Sequence, residues 1–398
     1  MKMVTSNQYG ALRSLSPTAS EALAAELVHR LHSIENVGFQ LQRLGVVIPF
    51  LPSRIGTNRA LDAAVRCLLQ AHRSLLEMGK NIYNEGIDSY NEAVALIRKD
   101  LNERQDKTSS ETVCAALILS TYELYKQDTC RTWMAHAGGV AAILECWGPA
   151  RIVSDFDLAI FASHYGSIVS SSILSGKRCF LDAPEWLALR ATCLRTFPDL
   201  DRYAMDCLTA LAALPTLLHD VREANMNGEL QLLSLSLLPR AQEFKARLSQ
   251  HALKLHLDFM DTNIVWEKPC ISSGTNPTML EFCEPQVAFR FNFYWATTII
   301  ANTLLLGLGE DDDSIFQESD DAAEDICRSM EHLHSLKPLG ALWLTFVASM
   351  AYGVSGDANR RRIVDAMDGA YDPIPVKIGS NALQIIFHIL TGGIRKFG

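Results

Sequence analysis

The sequence predicts an all-α fold, a single large multi-helix domain around an apolar interior pocket, and three observations lead there. Apolar residues recur at three- and four-residue spacing through most of the chain. Strand signals are few, with no alternating run bounded by Asn-Gly or Asp-Gly. Of the 398 residues, 48% are hydrophobic, ample for one deep core, and many helices around one core leave an interior pocket. No fixed-period repeat divides the chain.

Residues 1–18 read as a disordered N-terminus and residues 19–398 as the helical domain. Thr18 or Ser20 caps a helix from Glu21 to about Leu44. Gly45 to Ser53, GVVIPFLPS, is broken by prolines and reads as an extended loop before a helix from Thr57 or Asn58 to Met78. Tyr83 to Leu101 puts Ile87, Tyr90, Ala93, Val94 and Ile97 on one amphipathic face.

The clearest stretch is Thr108 to Pro149, two helices joined by a polar turn from Lys126 to Cys130. Ser109 or Ser110 caps the first, with Glu111 near its positive end, and Val113, Leu117, Leu119, Tyr122 and Leu124 follow at helical spacing. The second turns Trp133, Met134, Ala137, Val140, Ala141, Ile143 and Leu144 inward and stops at Gly148-Pro149. Gly138 and Gly139 cost helix stability, which suggests close packing or a ligand beside them.

Further helices are expected over Asp155–Ser175, from Pro184, over Tyr203–Asn225 and over Gln231–Met260. After a Gly/Pro/Ser-rich break at Pro269–Pro277, an apolar helix starts at Glu284 or Pro285. An acidic loop follows, then helices at Asp320–Leu336 and Pro338–Ser355 and a last amphipathic portion.

Net charge is −9, and nine acidic residues without a basic one lie between Glu310 and Asp325, so the rest of the chain is balanced. A DNA binder needs a basic stripe for phosphates; apart from Arg360-Arg361-Arg362 there is none, and direct nucleic-acid binding is not expected. Ten cysteines, never as Cys-x-x-Cys, signal neither a disulfide framework nor a zinc cluster and read as buried thiols. Without a secretion-type apolar core near Met1 or a membrane-length apolar run, a soluble intracellular protein, cytoplasmic in the first instance, is expected.

Catalytic signatures such as Gly-x-Ser-x-Gly, a phosphate-binding Gly-rich loop and His-Glu-x-x-His are missing. The acidic clusters remain. Asp258 and Asp261, three apart, would share a helical face and bridge Mg²⁺; Lys268 could neutralise a diphosphate. Phe259, Met260 and Ile264 could line an apolar cavity, with Trp266, Asn292 and Trp295 assigned to the same substrate wall. Phe289 and Phe293 offer further aromatic faces for a carbocation. Asp320, Asp321 and Glu324 have the look of a metal-binding acidic motif, though a solvated loop fits them better. His136 and His164 read as hydrogen-bonded core histidines, Asp155 and Asp157 as a helix start, and Lys177 and Arg178 as a surface helix end.

Tyr122-Glu123-Leu124, Trp133-x-x-His136-x-Gly138-Gly139-x-x-x-Ile143-Leu144 and Trp147-Gly148-Pro149 together resemble the helical regulatory region of fungal zinc-cluster (Zn2Cys6) transcription factors. The likeness extends through Pro49-Phe50-Leu51-Pro52-Ser53-Arg54, the stretch from Cys179 to Trp186, Phe293-Tyr294-Trp295 and the stretch from Ile326 to Met330, over most of residues 40–390. In that family a cysteine-rich basic region precedes the helices; nothing of the kind follows Met1. An aliphatic residue four before a lysine, Ile264 and Lys268, is also similar to the non-canonical humulene synthases of fungal tropolone sesquiterpenoid pathways, which implies cyclisation of farnesyl diphosphate with Mg²⁺ and an essential lysine.

Three functions follow as expectations. Placed first is a Mg²⁺-dependent sesquiterpene cyclase of fungal secondary metabolism, a lyase releasing diphosphate, with Lys268 catalytic and Asp258 and Asp261 on the metal. The alternative is a regulator without a zinc cluster, binding a partner protein or apolar effector and nuclear in location. The third is a scaffold without a ligand.

Overall fold

The computed structural model describes residues 17–34, 36–77, 86–104, 108–126, 130–198, 200, 202–250, 252–269, 278–336, 343–368 and 378–393. Among them are sixteen α-helices and one two-stranded hairpin. The all-α expectation holds.

The N-terminal half stacks helices in chain order. α1 (Ala19–Ser33) starts on a reciprocal cap between Thr18 and Glu21, and α2 (Arg59–Leu76) starts where the Asn58 side chain accepts from the Ala60 and Leu61 amides. α2 packs on α3 (Ile87–Arg104) and α4 (Ser110–Lys126), α4 on α5 (Cys130–Trp147), and α5 on α6 (Asp155–Ser175). α6 is the central rod, framed by a Ser154/Asp157 capping box and a left-handed Gly176. Phe156, Ile160, Phe161, Tyr165 and Ile168 on it are buried, each contributing about 1.5–3 kcal/mol. Its length and composition would suit a membrane crossing, but most of it lies inside the protein.

α7 (Pro184–Thr196), α8 (Arg202–Ala212) and α9 (Leu214–Met226) cover α6. α10 (Leu230–Ser249) joins α9 and α8 to α12 (Pro285–Gly307). α12 packs against α13 (Asp313–Ser335) and α14 (Leu344–Val354), and α15 (Asp357–Met367) and α16 (Ser380–Leu390) finish the C-terminal half. One continuous hydrophobic core runs through both halves.

Several expectations are corrected. The first helix ends at Ser33, and Leu41–Leu44 and Ile48–Ser53 form 3₁₀ turns in place of more helix and an extended loop; Pro49, with its fixed φ, suits the start of the latter. Two long helices are each divided, at Ala213 before Pro215 and between Ser249 and Ala252. α13 begins at Asp313, so the acidic run is mostly helix; Asp312 accepts from the Ser314 amide and Asp313 sits in the first turn, where the helix dipole favours acids. A Cβ built on Gly138 or Gly139 meets nothing within 4 Å, so close packing is not why they are small. Leu117, Tyr122 and Leu144 are fully buried as expected, whereas Trp133 is only half-buried. Cys67, Cys114, Cys179, Cys193 and Cys327 are buried, but Cys146 and Cys283 are exposed. Residues 1–16, the Lys126–Cys130 turn apart from its ends, and most of the Pro269–Pro277 break lie outside the described residues.

Candidate functional site

The residues singled out for metal and diphosphate gather around α11 (Ala252–Met260) and a hairpin the sequence did not announce, β1 (Val265–Pro269) with β2 (Thr278–Phe282). The strands are antiparallel, with Lys268 opposite Met279. α11 stops at Met260, so Asp261 has left the helix and does not share a face with Asp258. The Asp258 carboxylate lies 3.7 Å from Arg290 of α12, and the exposed Asp261 accepts at 2.9 Å from both the backbone amide and the side-chain amide of Asn263.

Lys268 is half exposed; its Nζ is 3.5 Å from Glu281 and 5.9 Å from the centre of the Trp266 ring. Glu281 also accepts from His332 Nδ1 at 3.1 Å. Ile264 is half-buried against the core. Phe259 meets the edges of Phe291 and Trp295 at 5.7 and 5.9 Å between ring centres. Beside them Asn292 is fully buried and donates to the Ala288 carbonyl at 2.9 Å. Thus Phe259 and Trp295 come together, with Asp258 held to the same helix by Arg290, while Asn292 bonds only within α12 and Lys268, Trp266 and Asp261 lie toward the surface.

The hairpin is anchored to α13. Arg328 donates to Glu267, 2.5 Å away, to Asp325 at 3.2 Å and to the Thr278 hydroxyl at 3.3 Å. Burial pushes the Asp325 carboxyl up to about 6 despite that guanidinium. Asp320 and Asp321 are exposed on α13, and Glu324 accepts from Asn359. Among the described residues His219, Asp220 and Glu223 of α9 lie close enough to hold one ion. Asp220 there already takes Arg178 at 2.6 Å and Arg240 at 2.7 Å, and none of the expected metal ligands belongs to the group. Lys177 and Arg178 follow a helix end, as expected.

A cavity of about 940 Å³ opens elsewhere, between α6, α8, α12 and the 3₁₀ turns at Leu41–Leu44 and Ile48–Ser53. Phe50, Phe197, Leu208, Phe289 and Phe293 give it an apolar lining, with Trp133 at one wall. Phe289 stacks on Phe293 at 4.9 Å and meets the edge of Trp343 at 5.0 Å. The hollow comes from α6, which turns Ser163, Gly166, Ser167 and Ser170 to this side at helical spacing. Ser163 Oγ accepts from the Val47 amide at 3.0 Å and so holds the 3₁₀ wall in place. Gly45, at φ +137°, allows that approach: a Cβ there would sit 2.5 Å from Ser163 Oγ. Arg43 and Asp155 are the charged residues on the lining. Lys268, Ile264, Phe259, Trp266, Asn292, Trp295, Asp258 and Asp261 are all absent from it. The small-residue spacing on α6 was the sequence signal for this wall.

The two histidines behind it are core residues, as expected. His164 Nε2 donates to the Ala137 carbonyl at 3.0 Å, and burial lowers its pKa to about 4. His136 Nε2 is 2.8 Å from the Tyr90 hydroxyl, which also hydrogen-bonds the buried Glu123. With Tyr90 donating to the carboxylate, the imidazole N–H donates to Tyr90; burial lowers the His136 pKa.

An uncharacterized protein of Emericella nidulans is 24% identical over 132 residues, 33% of this chain and 28% of that protein's length. No family model and no solved structure matches the chain.

Proposed function

We propose that this chain is a regulator-like helical domain that binds a small, mainly apolar effector in the cavity between α6, α8 and α12. The carrying observation is the cavity itself: about 940 Å³, aromatic on several sides and charged only at Arg43 and Asp155. The resemblance to zinc-cluster regulators supports the same reading, and the arginine triplet, which such a domain could have offered to DNA, is engaged with its own and the preceding helix, although Arg361 is exposed. Arg360 donates to the Tyr352 carbonyl, Arg361 to the Asp357 carbonyl and Arg362 to Asn359. A nuclear location goes with this role, and a fluorescent fusion tests it. For binding itself, N-phenyl-1-naphthylamine should brighten when it enters the cavity, and Ser167→Trp, which fills the α6 wall, should abolish the signal without unfolding the protein. Unchanged fluorescence in Ser167→Trp sinks the reading.

A second reading has one observation in its favour, the aromatic cluster of Phe259, Phe291 and Trp295 beside Asp258. It is Mg²⁺-dependent cyclisation of farnesyl diphosphate to a humulene-type hydrocarbon at Lys268. We rank it second because Asp258 is matched by Arg290, Asp261 by Asn263 and Lys268 by Glu281. Ionising a diphosphate also requires a dry site with uncommitted cations, and Lys268 is half exposed. Gas chromatography after incubation with geranyl, farnesyl or geranylgeranyl diphosphate and Mg²⁺ decides between the two.

A further inference from the structure

The effector-binding reading can be narrowed to a ligand class from the polar groups on the cavity wall. Arg43 stands on the Leu41–Leu44 turn, half-buried at the lining. Its Nε donates to Gln40 Oε1 at 3.2 Å, but among the described residues neither terminal amino group has an acceptor. Part-buried arginines elsewhere are matched: Arg54 by Glu111 at 3.1 Å, Arg190 by Asp206 at 2.7 Å, Arg328 by Glu267 and Asp325. Burial lowers the Arg43 pKa, and the field of Glu284 opposes that only in part. The half-buried guanidinium therefore keeps two donor groups without a protein acceptor at the lining, and a single anion there would take both.

Asp155 and Glu284, by contrast, are exposed, so water satisfies them. They also limit the charge a ligand can carry. One guanidinium with two carboxylates nearby cannot hold a diphosphate, which asks for several cations.

We infer that the effector is an amphiphilic monocarboxylate: its apolar body lies along Phe50, Phe197, Phe289 and Phe293, and its carboxylate takes the terminal amino groups of Arg43. Planar fork geometry suits arginine to that head group, and Ser167 and Gln286 are placed on the same lining for any further polar substituent.

The test uses matched probes that displace N-phenyl-1-naphthylamine: dodecanoate, dodecanol and dodecyl diphosphate, without added metal. Dodecanoate should bind at least about tenfold more tightly than dodecanol, the factor expected of one charge-assisted contact. Arg43→Met, which keeps an apolar stem, should erase that preference while leaving dodecanol affinity within about twofold, and Arg43→Lys should restore part of it. Circular dichroism confirms that each variant is folded. Equal binding of dodecanoate and dodecanol to the unaltered protein, or a preference that survives Arg43→Met, overturns the inference and leaves the effector reading standing. Tighter binding of the diphosphate overturns the carboxylate assignment. Failure of every probe, dodecanol included, removes the effector reading and this inference with it.

Discussion

The α11–hairpin end and the cavity behind α6 divide the molecule's chemistry unevenly. The hairpin end holds carboxylates, a lysine and aromatic rings within some forty residues of sequence, yet nearly every charge there has a protein partner. The cavity draws its walls from segments far apart in the chain, around residues 42–50, 162–170, 196–208 and 286–293, and is poor in charge. Density of reactive residue types in sequence therefore marked a place where charges neutralise one another. The emptier surface of the half-open cavity, which has room for a ligand, carries few such residues.

The largest effect should come from the cavity wall. Gly45→Ala must put a Cβ 2.5 Å from Ser163 Oγ at a φ that side chains rarely adopt, so strain and overpacking add. A loss of roughly 3 kcal/mol or more is expected in urea unfolding. Ser163→Gly should recover part of it in the double variant, and additivity of the two would mean that they do not meet.

Acid should separate the two regions by sign. His72 and His164 are buried, and burial lowers both to about 4 against an ordinary value near 6.5. The unfolded chain binds their protons more readily. Their contribution is therefore complete above about pH 6.5 and is lost as pH falls toward 4, each by up to about 3 kcal/mol. Asp325, raised to about 6, acts oppositely: the folded state takes its proton first, so its contribution is present at acid pH and lost as pH rises from about 4 to 6. Two histidines outweigh one aspartate, so stability should fall on acidification. Denaturant midpoints across that range should decline more steeply in Asp325→Asn and less steeply in His164→Gln; an unaltered slope in both would refute the assignment.

Next in size is the hairpin anchor. Arg328→Met leaves Glu267 without its partner and Asp325 part-buried beside nothing positive, which should cost about 2 kcal/mol, below the range for a fully buried pair. Amide exchange in β1 and β2 should quicken while α6 stays protected. Equal loosening in both places would make the two regions one cooperative unit.

How far this was legible depends on the range of the forces involved. α6 was bounded to the residue because its signals are local: Ser154 and Asp157 cap each other and Gly176 ends the helix. The divisions at Ala213 and near Ser249 were passed over because apolar spacing continues across them, although Pro215 marks one. The hairpin was missed since its strands are short and are held by α13 through Arg328, a contact made across some fifty to sixty residues. For the candidate sites, Phe259 and Trp295 do meet and Asp258 reaches the same helix through Arg290, but whether residues line a common space depends on long-range packing. Of the residues singled out in the sequence, Phe289 and Phe293 do line the cavity; the serine and glycine spacing on α6 was a further signal for it.

Lys268→Ala should have the smallest effect on folding of all, and it tests the comparison most directly. Its ammonium is half exposed and 3.5 Å from Glu281, which keeps His332 as a second partner when the lysine is gone. Exposed pairs of this kind contribute about 0–1 kcal/mol, so unfolding should shift by no more than roughly half that range. If Lys268 only closes the hairpin's surface, the variant should bind N-phenyl-1-naphthylamine as the parent does and yield nothing new with farnesyl diphosphate. If it stabilises a departing diphosphate, the unaltered protein should release a cyclic sesquiterpene with Mg²⁺, and Lys268→Ala should cut that turnover by about two orders of magnitude, the scale for one preorganised electrostatic contact. A stable, ligand-binding variant that had lost such turnover would reverse the comparison and make the hairpin end the working site, with Asp258→Asn and Asp261→Asn then expected to imitate low Mg²⁺.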